Sequence, residues 1–102
     1  MGGILTIFAA DRSEIYGELS SVEWREEDTK GGPNQVLTGV AGEGTLRAFL
    51  ELDRAGIDHV AFEYECAGIH YGGDAVLLRP QPTDAPTSGI ITIEATKGPF
   101  LL

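Results

Sequence analysis

The chain has 102 residues, with 16 acidic against 7 basic side chains and a formal net charge of −9, which bounds it to one domain with a single core. That balance argues against direct tight nucleic-acid binding, which needs Lys and Arg to displace counterions, and against docking on anionic membranes. A single cysteine, Cys66, excludes an intrachain disulfide, and 14 glycines with 5 prolines, spread as punctuation, predict a β-rich fold with many turns.

Residues 2–10, GGILTIFAA, lack the basic start of a leader and are short for a signal core, so residues 4–10 predict a strand. Ile4, Thr6 and Phe8 fall on one face of it, and Leu5, Ile7 and Ala9 on the other. Residues 11–28 leave two readings open. Ile15, Tyr16, Leu19 and Val22 fit helical spacing, whereas Gly17 and the pair Val22/Trp24 fit a strand over residues 18–25, with a loop before it. This segment holds Asp11, Glu14, Glu18, Glu23, Glu26, Glu27 and Asp28 against Arg12 and Arg25, nearly half of the acidic total. Such a run is most simply a solvated face; an electrostatic function would begin here. Residues 29–35, TKGGPNQ, carry turn chemistry and predict a loop whose flanks form a long hairpin, with residues 36–41 a short strand.

The best-defined stretch spans residues 42–79. It predicts a helix over about residues 45–55, capped by Thr45 and stopped by Gly56, with Leu46, Phe49 and Leu50 on one stripe and Arg47, Glu51 and Arg54 opposite. Asp53 is a misfit inside the apolar arc, near the helix C-terminus where the dipole disfavours an anion. It is either a boundary residue reaching water or a contact with a partner. From Ile57 the period changes to two: Val60, Phe62, Tyr64 and Cys66 share one face, and His59, Ala61, Glu63 and Glu65 the other. Ala67-Gly68 predicts a turn and residues 69–79 the returning strand, with a bulge at Gly72-Gly73 and Val76-Leu77-Leu78 covered on both sides. After Pro80, residues 81–88 form a second loop and residues 89–96 a strand with Ile91, Ile93 and Ala95 on one face. Lys97-Gly98-Pro99 predicts a turn, leaving Phe100, Leu101 and Leu102 as an apolar tail packed on this domain or on a neighbour.

No stretch forms a catalytic constellation. Gly39 to Thr45 has the outline of a phosphate-cradling loop, but Gly44 stands where a Walker lysine is required and Glu43 occupies the helix N-terminus. His59, Glu63, Glu65, His70 and Asp74 share a hairpin without diagnostic metal-ligand spacing. No G-x-S-x-G elbow occurs, no carboxylate pair is marked for acid–base work, and the face of Cys66 predicts a buried structural thiol. Trp24, Phe49, Phe62, Tyr64 and Tyr71 lack the flanking basic residues of a base-stacking site and are assigned to the core. The expectation is a non-enzymatic protein with no cofactor, no metal and no small-molecule substrate.

The order of elements over residues 42–102, a short helix, then HVAFEYECAGIHYGGDAVLLR, a Pro/Thr/Ser-rich loop and GIITIEATKGPFLL, resembles the tail-tube (major tail) proteins of bacteriophages. The resemblance implies a mainly β (α+β) domain over residues 1–102, a small antiparallel β-barrel or sandwich with one short flanking helix. It further implies a homo-oligomer in the virion, in which subunits join through sheet edges and loops into rings and the rings stack into a tube, beside other virion proteins. An acidic surface fits this, because it repels DNA phosphates. Only residues 28–35 are placed to act as the inter-ring arm of that family. A head-decoration or head–tail connector protein would share these features. A reading of another class is an inhibitor whose acidic face mimics DNA and occupies the basic groove of a defence nuclease, and a small enzyme or metal-binding module is the residual one. The residues expected to carry interactions are Glu18, Glu23, Glu26, Glu27, Asp28, Asp53, Phe100, Leu101 and Leu102.

Overall fold

Alternation of apolar residues builds the barrel strand by strand. In the computed structural model, which describes residues 3–29, 32–83 and 88–102, Leu5, Ile7 and Ala9 of β1 (Ile4–Ala9) all point inward. The remaining elements are β2 (Ile15–Thr29), β3 (Gly32–Ala41), α1 (Glu43–Arg54), β4 (His59–Cys66), β5 (Ile69–Leu77), β6 (Gln81–Pro82) and β7 (Gly89–Leu101). All pairings are antiparallel. The sheet order is β3-β2-β1-β4-β5-β7, and a further pairing of β3 with β7 closes it into a six-stranded barrel with one short helix. The short β6 pairs with the start of β7. Closure leaves no long exposed sheet edge around most of the wall, the usual way a β protein avoids indiscriminate strand pairing.

The interior is filled by Leu5, Ile7, Leu19, Val22, Leu37, Val60, Phe62, Ile91 and Ile93, all essentially without solvent contact. One end of the barrel, where β1, β3 and β5 finish, is closed by α1, whose Leu46 and Phe49 are buried. At the other end, Trp24, Tyr64 and Tyr71 form an aromatic cluster. Trp24 meets Tyr71 edge-on at 5.0 Å and Tyr64 edge-on at 6.0 Å between ring centroids. The Trp24 Nε1–H donates to Gln35 Oε1 at 2.6 Å, so the indole is partly buried with its polar atom satisfied.

Several sequence expectations are corrected here. The acidic segment is a strand, but longer than residues 18–25: β2 spans Ile15–Thr29 because β3 supplies partners down to the Thr29–Gly32 pair. Its helical spacing has a local cause. A bulge between Ser20 and Glu23, with Ser21 at φ 51°, puts both Leu19 and Val22 inside, three positions apart. Residues 32–35 belong to β3 rather than to a loop; the hairpin tip at 30–31 and residues 84–87 of the second loop lie outside the described residues.

The helix begins at Glu43 with Gly42 as N-cap and no side-chain cap bond, so Thr45 is not the cap. The chain is already turned by the extended Gly42, and Glu43 in the first turn offsets the dipole. Gly56 stops the helix as expected, at φ 76°. Leu78 is exposed rather than covered, because β5 ends at Leu77. The largest correction concerns the C-terminus. Lys97-Gly98-Pro99 is a bulge with a cis Gly98–Pro99 peptide, not a turn, and the tail continues β7 alongside β5. Gly73 permits this, since a Cβ there would collide with the Lys97 carbonyl.

Phe49→Ala is expected to cost about 3–5 kcal/mol, read as a lowered urea midpoint at unchanged m-value. Thr45→Val, which replaces the hydroxyl by a methyl group, should stay within about 0.5 kcal/mol rather than losing the ~1 kcal/mol of a capping bond.

Candidate functional site

Along β2 the strand period decides which carboxylates face together. Glu23, Arg25 and Glu27 alternate onto the outer face, where Arg25 Nε donates to Glu27 Oε2 at 2.6 Å and Nη1 lies 3.5 Å from Glu23 Oε1. The same guanidinium donates to Thr38 Oγ1 at 3.1 Å, and its bond to Glu27, with the charges of Glu27 and Glu23, raises its pKa above the ordinary arginine value. Glu26 turns to the opposite face and accepts from Gln35 Nε2 at 2.8 Å. Asp28 is exposed near the hairpin tip, opposite Pro33. The acidic run is therefore split over two faces, and its Glu23/Glu27 pair is half-neutralised by Arg25, instead of forming one bare field.

Glu18 lies across Thr6 from Glu63 on the outer wall, and these residues with Ile4, Tyr64, Glu65 and His70 line a shallow depression of about 260 Å³. Two of its three carboxylates are already engaged: Arg12 Nη1 is 3.3 Å from Glu63 Oε2, and His70 Nε2 is 3.0 Å from Glu65 Oε2. No group of three or more potential metal ligands occurs among the described residues, and none of their helices is long and apolar enough to cross a membrane. Asp53, the misfit of the helix, is met within the chain by Arg79, whose Nε lies 3.7 Å from Asp53 Oδ2.

The apolar C-terminus is the feature that stands out. Phe100 and Leu101 pair with Gly72 and Tyr71, and the Leu102 N–H donates to the His70 carbonyl at 2.9 Å. The backbone is thus fixed while the side chains stay in water, with Phe100, Leu101 and Leu102 respectively 57%, 72% and 67% exposed. Ile69, opposite Cys66 at the β4–β5 turn, is exposed beside them, and Ile4 lies on the same barrel end beyond the Glu65–His70 pair. Beneath this end, Tyr64 is 5% exposed, and Cys66 is only partly buried against the core, less enclosed than its strand face implied.

Sequence reasoning named Phe100, Leu101 and Leu102 but missed Ile69, and it missed Ile57 and Leu78, exposed near the helix end. The available signal was an isoleucine directly flanking a turn, at a strand end where an inward-facing position opens to water. No family model, no curated protein and no solved structure matches the chain.

Burial, a hydrogen bond with Cys66 and the nearby Cys66 and Tyr71 charges push the Tyr64 hydroxyl up to about 12 from the ordinary tyrosine value of 10.0. Below pH 10 the phenol is neutral in both folded and unfolded chains, so the folded state loses stability only as pH rises from about 10 to about 12. Absorbance titration at high pH should show one tyrosine ionising late, and Tyr64→Phe should remove both that step and its share of the alkaline loss of stability.

Proposed function

We propose that the protein is a non-enzymatic structural subunit that self-assembles, of the virion kind implied by its resemblance to phage tail-tube proteins. One observation carries this reading: an apolar C-terminal strand held rigidly in place with its large side chains in water. Side chains of this size each gain about 1.5–3 kcal/mol when fully buried, so an ordered cluster of them favours a partner surface over solvent. The contact uses side chains at the barrel end more than an open edge. Beyond the Val36–Glu94 pair, β3 follows β2 and β7 follows β5, but the edge so released is interrupted by Lys97, the bulge and Pro99. The acidic wall keeps assembled copies soluble and unattractive to DNA phosphates. The reading as a DNA mimic draws on Glu18, Glu23, Glu27 and Asp28, and the bridging of Glu23 and Glu27 by Arg25 weakens it.

Light scattering after gel filtration, with negative-stain microscopy of the same fractions, tests the proposal. The expected result is a discrete large oligomer that grows with concentration, is favoured by added salt because like-charged copies repel less, and is lost in Leu101→Asp/Leu102→Ser. A chain that stays monomeric at every concentration overturns it, and a basic partner whose binding weakens with salt would then support the inhibitor reading.

A further inference from the structure

We propose that the free edge of β2 is a strand-addition site for an extended, lysine- or arginine-rich segment of another protein. This goes beyond the self-assembly reading and does not rest on it, since it uses a different surface. Pairing of β2 with β1 ends at Leu19, opposite Leu5, because β1 begins at Ile4. From Glu23 to Thr29 the β2 backbone pairs with β3 on one side and, among the described residues, with no strand on the other. That run is roughly 20 Å long at about 3.3 Å per residue, and it carries neither a proline nor a bulge. The other released edges are poorer templates. Residues 32–35 of β3 include Pro33, and the second half of β7 is broken by its bulge and Pro99. A row of unpaired strand N–H and C=O groups is met most completely by another strand.

Charge selects the strand. The run holds Glu23, Glu26, Glu27 and Asp28 against Arg25 alone. Arg25 answers Glu23 and Glu27 on the outer face and leaves the opposite face uncompensated. There Glu26 accepts from the neutral Gln35 amide, which does not cancel its charge. Neither Glu26 nor Asp28 has an ion pair among the described residues, and both are exposed. The β2 edge of a second copy brings the same carboxylates and is repelled, whereas a basic strand is attracted at each of them.

Strand geometry fixes where the basic residues belong. Trp24, Glu26 and Gln35 share a face, since the Gln35 amide bonds to both of the others, and the period of two adds Asp28 to it. Directly opposite residues of paired strands point the same way, so every second side chain of an added strand lies on that face. Lysine or arginine at these alternate positions meets Glu26 and Asp28, while the residues between them pass Glu23, Arg25 and Glu27. Backbone bonds then supply affinity, and the alternate cations supply selectivity.

A labelled peptide of alternating lysine and threonine, titrated into dilute protein at low salt, tests this by fluorescence anisotropy. Two further versions carry backbone N-methyl groups, one on every lysine and the other on every threonine. All three have the same charge, but each methylated version lacks the N–H donors of one edge only. The expected result is that the unmodified peptide binds, one methylated version binds about tenfold or more weakly, and the other retains its affinity. Amide exchange on binding should slow at alternate positions within residues 23–29. Glu26→Gln and Asp28→Asn should each weaken binding about two- to fivefold, the scale of an exposed ion pair, and added salt should weaken it further. Equal binding of the two methylated versions, exchange changes confined to other strands, or unchanged affinity in both variants overturns strand addition. So does absence of binding by the unmodified peptide. None of these results bears on self-assembly, which light scattering reads separately.

Discussion

β7 bonds to β3 through its first half and to β5 through its second, and the barrel is closed only because it does both. The bend this requires is made at Gly73 and Lys97-Gly98-Pro99, where the β5–β7 register slips and the Lys97 carbonyl fills the space a side chain at position 73 would take. From this one strand follow the closed core, with Ile91 and Ile93 facing Leu37 and Phe62, and the exposed end, with Phe100 and Leu101 carried past the barrel wall on the edge of β5. The same backbone bonds that complete the fold thus hold an apolar surface in water.

The two ends of the barrel are built on different principles. At one, a short helix supplies Phe49 and Leu46 as a plug, and its C-terminal turn leaves a hollow against the end of β5. At the other, Trp24, Tyr64 and Tyr71 pack on one another beneath a fringe of exposed aliphatic residues. Between them the wall is polar and acidic, with its arginines committed to internal ion pairs that are exposed and worth little individually. These pairs shape the surface by removing positive charge from it, more than they stabilise the fold.

Local patterns made much of this legible. The hairpin over residues 59–77, its Ala67-Gly68 turn, the bulge at Gly72-Gly73 and the helix stop at Gly56 follow from alternation and from glycine chemistry. The β2 segment was ambiguous because its bulge gives Leu19 and Val22 a helical spacing inside a strand. Pairing of β3 with β7 joins residues far apart in sequence, and a period of two marks faces but not neighbours. The tail residues were visible as apolar; their strand conformation was not, because a Lys-Gly-Pro sequence ordinarily turns the chain. The hollow was hidden for a different reason, since Ile57 and Leu78 come together only through the packing of α1 against the barrel.

Backbone hydrogen exchange, followed from dilute to concentrated protein, tests the central claim most directly. The account predicts that the Leu102 amide is already protected in the dilute subunit, and that concentration adds protection at the barrel end that carries the second half of β7 and the β4–β5 turn. Rapid exchange at Leu102 in dilute protein, or added protection confined to the outer face of β2, would contradict it.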